Sequence, residues 1–85
     1  MDIRVTPASG GKTWHLTDLL GRSMGFIEQV QSRVFFIRPS ERGLELLGTV
    51  SRQAYLSLDE TMSAIEKDGH VVCRLVPNDG AANDR

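Results

Sequence analysis

The chain has 85 residues, of which 40% are hydrophobic and 25% are charged, so we expect one small globular domain over 1–85. Ten basic and eleven acidic side chains give a formal charge of −1, which provides no general attraction to nucleic acid or anionic membranes. The single cysteine, Cys73, excludes an intramolecular disulfide framework, and no apolar run approaches the ~18 residues of a membrane span. With no signal-peptide pattern at the N-terminus, we expect a cytoplasmic protein without membrane association.

The first half of the chain carries strand-like segments separated by turn residues. Ile3–Val5 can form a short strand or a loose tail, and we expect 1–12 to be flexible because turn-forming residues follow. Phe26–Val30 and Val34–Arg38 are rich in β-branched and aromatic residues, which predicts two strands. The polar residues 31–33 between them predict a hairpin connection.

Residues 17–30 leave two interpretations open. Apolar residues recur there at the spacing of one helical face, which would indicate a helix. Gly21 and Gly25 oppose that interpretation, because each glycine costs roughly 1 kcal/mol in a helix interior. We therefore favour strands with a bend between them. Further on, the apolar stretch Leu44–Leu47 predicts a third strand.

Ser57–Gly69 shows the start, the buried face and the end of a helix. Ser57 and Glu60 have the spacing of a capping box, in which each side chain satisfies a free backbone N–H of the first turn. An apolar face follows at helical spacing, formed by Leu58, Met62 and Ile65. We predict a helix over about 58–68, with Thr61 on or near the solvent side and Gly69 in the left-handed position just past the end.

The residues after this helix predict a final strand over about 70–76. Its alternation places Cys73 among core residues and His70 at the surface. The polar tail, 77–85, is expected to be flexible. Several strands, one helix and one strand in this order predict an α+β fold, in which a mostly antiparallel sheet of three to five strands carries one principal helix on one face.

The strand at 34–38 is apolar on both faces. Val34 and Phe36 point to one side and Phe35 and Ile37 to the other. A helix of about three turns is only ~17 Å long and cannot cover both faces of a sheet. Either Trp14 and neighbouring leucines cover the second face, or a second copy or another protein does. The predicted interaction surface consists of Val34, Phe36, Arg33, Arg38 and Arg42.

No set of residues predicts an enzyme. Two histidines and one cysteine lack the paired spacings of metal sites. Thr6–Thr13 resembles the tail of a phosphate-binding loop of ATPases, but Thr6 stands where that motif has its first glycine, so we predict a polar turn. We expect no catalytic residue, no cofactor and no metal.

The basic and aromatic residues around the predicted hairpin leave a second function open. Arg33, Arg38 and Arg42 flank Phe35 and Phe36, and basic groups interleaved with aromatic rings on a sheet can bind single-stranded nucleic acid. Our first hypothesis is a small non-catalytic binding or interaction module, in its specific form a homodimer through the uncovered sheet face. The alternative is a nucleic-acid-binding accessory protein that uses the three arginines.

Three segments carry a resemblance to other proteins. They are Leu19–Ile27, Phe36–Pro39 and Tyr55–Glu66, followed by a late Cys73. Together they resemble a class of short uncharacterised bacterial proteins, over roughly residues 16–75. The resemblance is one of turns and a capped helix, so it implies a bacterial α+β protein and no particular activity. The first segment is also similar to the opening of small barrel domains, from which the internal helix departs.

Overall fold

The computed structural model describes residues 2–8 and 10–76. In chain order its elements are β1 (Asp2–Pro7), β2 (Thr13–Thr17), β3 (Ser23–Gln31), β4 (Val34–Pro39), helix α1 (Leu44–Leu47), a 3-10 helix (Val50–Arg52), helix α2 (Leu58–Gly69) and β5 (Val72–Leu75). The tail 77–85, which we expected to be flexible, lies outside the described residues.

The strands form one five-stranded sheet in the order β4-β3-β2-β1-β5. The first four strands are consecutive antiparallel neighbours, and β5 pairs with β1 in parallel after α2 has crossed the sheet. This arrangement confirms the predicted α+β fold. The N-terminal stretch forms a strand rather than a loose tail, because β1 pairs with β2 on one side and with β5 on the other. The expectation of a flexible 1–12 stays a prediction, and Asp2–Pro7 of that segment form β1.

The core lies between the sheet and the helices. Apolar side chains from one face of the strands meet residues of α1, the 3-10 helix and α2 in a single cluster, formed by Ile3, Val5, Leu16, Met24, Ile27, Phe35, Ile37, Leu47, Val50, Ile65 and Val71. Trp14 packs against this cluster, and its ring lies 5.8 Å from that of Phe35. We call this side of the sheet the inner face.

Helix α2 begins where its sequence predicts. The Ser57 side chain accepts a hydrogen bond from the Glu60 backbone N–H at 3.1 Å, which satisfies one of the free donors of the first turn. The prediction that Thr61 lies on or near the solvent side is wrong, because Thr61 is fully buried. Its hydroxyl donates to the Ser57 carbonyl at 2.7 Å, so its polar atom can enter the core without losing a partner.

The end of α2 differs from the prediction by one residue. Gly69 is still helical, and His70 takes the left-handed position with φ 54°. A Cβ at Gly69 would lie 2.6 Å from the Leu46 Cδ1, so a larger residue there would require the Leu46 side chain to shift. The Val71 N–H still donates to Glu66 at the helix end, and the strand predicted over 70–76 is therefore shorter, Val72–Leu75.

The structure confirms one further strand prediction and contradicts another. The strand interpretation of 17–30 is confirmed for β3, which follows a tight turn after β2. The strand predicted for Leu44–Leu47 is wrong, because these residues form α1. Four apolar-rich residues are too few to distinguish helical from strand spacing, and the helical turn is the one that buries Leu47 in the core.

Candidate functional site

The side chains of the sheet divide between two faces, and the helices pack on the inner one. Alternate residues of a strand point to opposite faces, so every strand also contributes to a second face over which no described element packs. We call it the open face. It includes Asp2, Arg4, Thr6, Thr13, His15, Thr17, Ser23, Phe26, Glu28, Val34, Phe36, Arg38, Val72 and Arg74.

Two phenylalanines lie on neighbouring strands of the open face. Phe26 of β3 pairs with Arg38 of β4, and Glu28 pairs with Phe36, so the two phenylalanines occupy diagonal positions in the sheet. Phe26 is 40% exposed, and Phe36 is half-buried. Aromatic side chains dominate the energetics of protein interfaces, so this pair gives the open face its strongest binding feature.

Arg38 is held between an aromatic ring and a carboxylate. Its guanidinium carbon lies 5.6 Å from the centroid of the Phe36 ring, which is the range of a cation–π contact. Its Nε donates to Glu28 Oε1 at 3.1 Å. The side chain of Arg38 therefore extends over the β3–β4 part of the open face, and its charge is balanced there by Glu28.

Charges of the open face largely cancel within the sheet. Arg74 of β5 donates to Asp2 of β1 at 3.0 Å, just as Arg38 donates to Glu28. Within the described part of the chain, Arg4 is in no ion pair and is exposed. Three arginines against two carboxylates leave one net positive charge on this face when its histidine is neutral.

The structure brings together three of the five residues predicted as an interaction surface. Val34, Phe36 and Arg38 lie on the open face of β4. Arg33 lies in the turn that joins β3 to β4, at the end of the same hairpin. Arg42 lies elsewhere, in the turn before α1, where it lines a shallow pocket of about 470 Å³ with two glutamates.

Trp14 and its neighbouring leucines do not cover the open face, which corrects one of the two arrangements we considered. Trp14 packs on the inner face, as its contact with Phe35 shows. Leu19 and Leu20 lie in the turn between β2 and β3, where they are 57% and 78% exposed. The second arrangement, in which another chain covers this face, is the one left open by the described residues.

Phe26 and His15 are two residues of the open face that the predicted interaction surface did not include. Phe26 could have been found from the sequence. Phe26 and Glu28 share one face of β3, and the apolar Ile27 between them lies on the other. His15 could not have been found, because its position depends on the register of β2 against β3. That register shifts at a bulge between Leu16 and Thr17, and a shift of one residue exchanges the faces of a strand.

Cys73 and His70 lie in different surroundings. Cys73 is half-buried, and its backbone N–H donates to Glu66 Oε2 at 2.9 Å. Burial, and next the negative charge of Glu66, raise the pKa of the Cys73 thiol to about 12, so little reactive thiolate forms near neutral pH. His70 is exposed at the end of α2.

The buried carboxylate of Asp18 has a structural role. Asp18 Oδ1 accepts the backbone N–H groups of Leu20 and Arg22, both at 2.9 Å, and Oδ2 accepts the Arg22 Nε at 2.7 Å. The Arg22 backbone N–H is the main cause of a lowered pKa at Asp18. These bonds close the β2–β3 turn and occupy both oxygens of the carboxylate, so Asp18 is committed to the turn.

The Gly-Lys-Thr element lies in the turn from β1 to β2. Lys12 is exposed there, and the chain continues into a strand, whereas a phosphate-binding loop leads into the N-terminus of a helix. The prediction of a polar turn is thus confirmed.

The described residues contain neither a metal-binding cluster nor a membrane-spanning helix, and the open face is the candidate site. Among residues 2–8 and 10–76, no three His, Cys, Asp or Glu side chains cluster as a metal site requires. None of the described helices has the length and apolar character needed to cross a membrane. Comparisons of the chain with protein-family models, curated proteins and solved structures found no match. The candidate site is therefore defined by its geometry alone.

Proposed function

We propose that this protein is a non-catalytic interaction module that forms a homodimer through the open face. The observation that carries the proposal is the placement of exposed Phe26 and half-buried Phe36 on the side of the sheet opposite α2, with no described element over them. In a face-to-face pair of sheets the two layers lie about 10 Å apart, and their inner side chains interdigitate. In the dimer, the sheet of one copy would cover the open face of the other, as the helices cover the inner face.

Charge favours a second copy as the occupant. A two-fold axis places the same surface patch on both subunits, so the patch has to be complementary to itself. A strongly basic or acidic face would repel its own copy. The open face avoids this because Glu28 and Asp2 balance Arg38 and Arg74 within each chain, and the phenylalanine pair supplies apolar area to bury.

The size of the face sets the expected strength of the dimer. Five strands at a spacing of about 4.8 Å give a face roughly 24 Å wide. Such a face is at the small end of protein interfaces, which run from below ~1,200 Å² in weak pairs to ~1,600 Å² in standard ones. We therefore expect a dissociation constant in the micromolar range, in which dilution separates the subunits.

The same geometry weighs against the nucleic-acid alternative. Binding of a phosphate backbone requires arginines free to contact several phosphates. Arg38 is bonded to Glu28, and Arg42 lies away from the open face beside two glutamates. Arg33, in the turn at the end of the hairpin, is exposed and takes part in none of the ion pairs of the described residues. The experiment must therefore distinguish nucleic-acid binding from dimer formation.

Sedimentation equilibrium over a dilution series tests the proposal. The wild-type chain is expected to shift from its monomer mass of 9.4 kDa towards twice that mass as its concentration rises through the micromolar range. Phe36→Ser removes one of the two rings from the open face and should weaken the dimer at least tenfold, because an aromatic residue buried in an interface can contribute roughly 2 kcal/mol. Leu44→Ser is the matched control, since Leu44 is 54% exposed and lies in α1, on the inner side of the sheet.

Two results would contradict the proposal. One is a wild-type chain that stays monomeric at several hundred micromolar, and the other is an equal effect of both substitutions. Binding of a single-stranded oligonucleotide that weakens steeply with salt, and that is lost on replacing Arg33, would support the alternative function instead.

A further inference from the structure

His15 lies at the centre of the open face. It is the middle residue of β2, and β2 is the middle strand of the sheet, with two strands on either side. Across the strands it pairs with Phe26 on one side and Thr6 on the other. Its ring is exposed, and Nε2 lies 3.0 Å from the Ser23 hydroxyl oxygen. A second sheet laid on this face would therefore cover the imidazole.

Charged groups of both signs lie around His15. Arg4 of β1 is a diagonal neighbour through Thr6, and Arg38 lies beyond Phe26 on β4. Glu28 of β3 is a diagonal neighbour on the other side and is bonded to Arg38, and Asp2 is bonded to Arg74 on the far strand. The helices pack on the opposite side of the sheet and place no charged group against the ring.

From this arrangement we infer that His15 makes self-association sensitive to pH, so that the dimer forms with the neutral imidazole and dissociates on acidification. The inference rests on the proposed homodimer. Covering the ring with a second sheet takes it out of water, which disfavours the charged form. Two copies related by a two-fold axis also bring two central residues towards each other, so two imidazolium rings would repel across the interface.

The direction of the effect follows from proton linkage. Histidine changes its charge between about pH 5 and pH 8. If the monomer accepts a proton on His15 more readily than the dimer does, lowering the pH shifts the equilibrium towards the monomer. Two histidines titrate for every dimer, so we expect the dissociation constant to rise tenfold or more, roughly, between pH 8.0 and pH 5.5. This range stays above the one in which ordinary carboxylates take up protons.

The experiment measures the dimer dissociation constant by sedimentation at pH 8.0 and pH 5.5 in the same salt. His15→Gln keeps a group that can hydrogen-bond to Ser23 but cannot become charged, and its dissociation constant should change less than twofold. His15→Thr, which suits a strand, serves as a second variant.

His70→Asn is the matched control, because it removes the exposed histidine at the end of α2 and asparagine tolerates the left-handed conformation found there. It should respond to pH as the wild type does. Trp14 fluorescence at both pH values checks that every variant is folded.

The outcomes separate this inference from the proposed function. A wild-type dimer whose dissociation constant is the same at both pH values would overturn the role of His15 and leave the homodimer standing. A His15→Gln or His15→Thr dimer that still dissociates on acidification would do the same. A chain that remains monomeric at pH 8.0 would overturn both.

Discussion

Cys73 illustrates how the surroundings of one side chain set its reactivity. The thiol is half-buried at the inner face, and Glu66 accepts the backbone N–H of the same residue at 2.9 Å. Loss of water contact is the larger cause of the raised pKa of about 12, and the Glu66 charge adds to it. Both effects stabilise the neutral thiol, and both disappear when the chain unfolds.

We expect Cys73 to react slowly in the folded protein. At pH 8 an ordinary thiol with a pKa near 8.5 is about one quarter thiolate, whereas a pKa of about 12 leaves about 0.01%. Alkylation by iodoacetamide should therefore be at least a hundredfold slower, roughly, in buffer than in denaturing urea. Glu66→Gln removes only the smaller cause and should accelerate the reaction much less than urea does. Equal rates in buffer and in urea would contradict the burial of the thiol.

At the scale of elements, the hairpin of β3 and β4 depends on one glycine. Gly25 has φ 132°, a conformation that side-chain-bearing residues rarely adopt. A Cβ there would clash with the Arg38 carbonyl and lie 2.7 Å from the Pro39 Cα. The β4 backbone therefore approaches β3 at a point where only glycine leaves room.

Gly25→Ala should destabilise the fold far more than Gly21→Ala. Gly21 also has a positive φ, 81°, but a Cβ there would meet nothing within 4 Å, so its replacement costs only the backbone strain of about 1 kcal/mol. At Gly25 the strain adds to a clash between backbones, and we expect a loss of 3 kcal/mol or more, roughly. Urea unfolding followed by circular dichroism measures both. Equal losses at the two positions would contradict the close approach of the strands.

The elements also show what the sequence predicts and why the rest needs the fold. Helix α2 was predictable because its N-terminal cap and its apolar spacing are local signals. The four residues of α1 were not, because so short an apolar stretch fits either spacing and only its contacts decide. Thr61 was misjudged for a similar reason, since its hydroxyl finds a partner in the Ser57 carbonyl only once the helix exists.

The candidate site divides in the same way. Alternation along β4 predicts that Val34 and Phe36 share a face, and the structure places Arg38 with them. Arg42 lies beyond the end of β4, in the turn before α1, so the alternation along β4 gives no information about its position. His15 joins Phe26 only through the pairing of β2 with β3, and no local pattern contains that register.

At the scale of the whole molecule, the described chain has two layers. One is the sheet, and the other is formed by the helices on its inner face. Most α+β folds gain their stability from one such interface, and a chain of 85 residues buries only about 60% of its unfolded surface. A second copy on the open face would add a third layer and bury Phe26 and Phe36 without any further element from the same chain.

The most direct measurement of that arrangement is a two-dimensional NMR dilution series at pH 8.0, with backbone amide shifts assigned along the chain. We predict concentration-dependent shifts that concentrate on β2, β3 and β4 around His15, Phe26 and Phe36, and that leave the solvent side of α2 unchanged. Shifts that do not depend on concentration, or that map to α2 and leave the open face unchanged, would contradict the account.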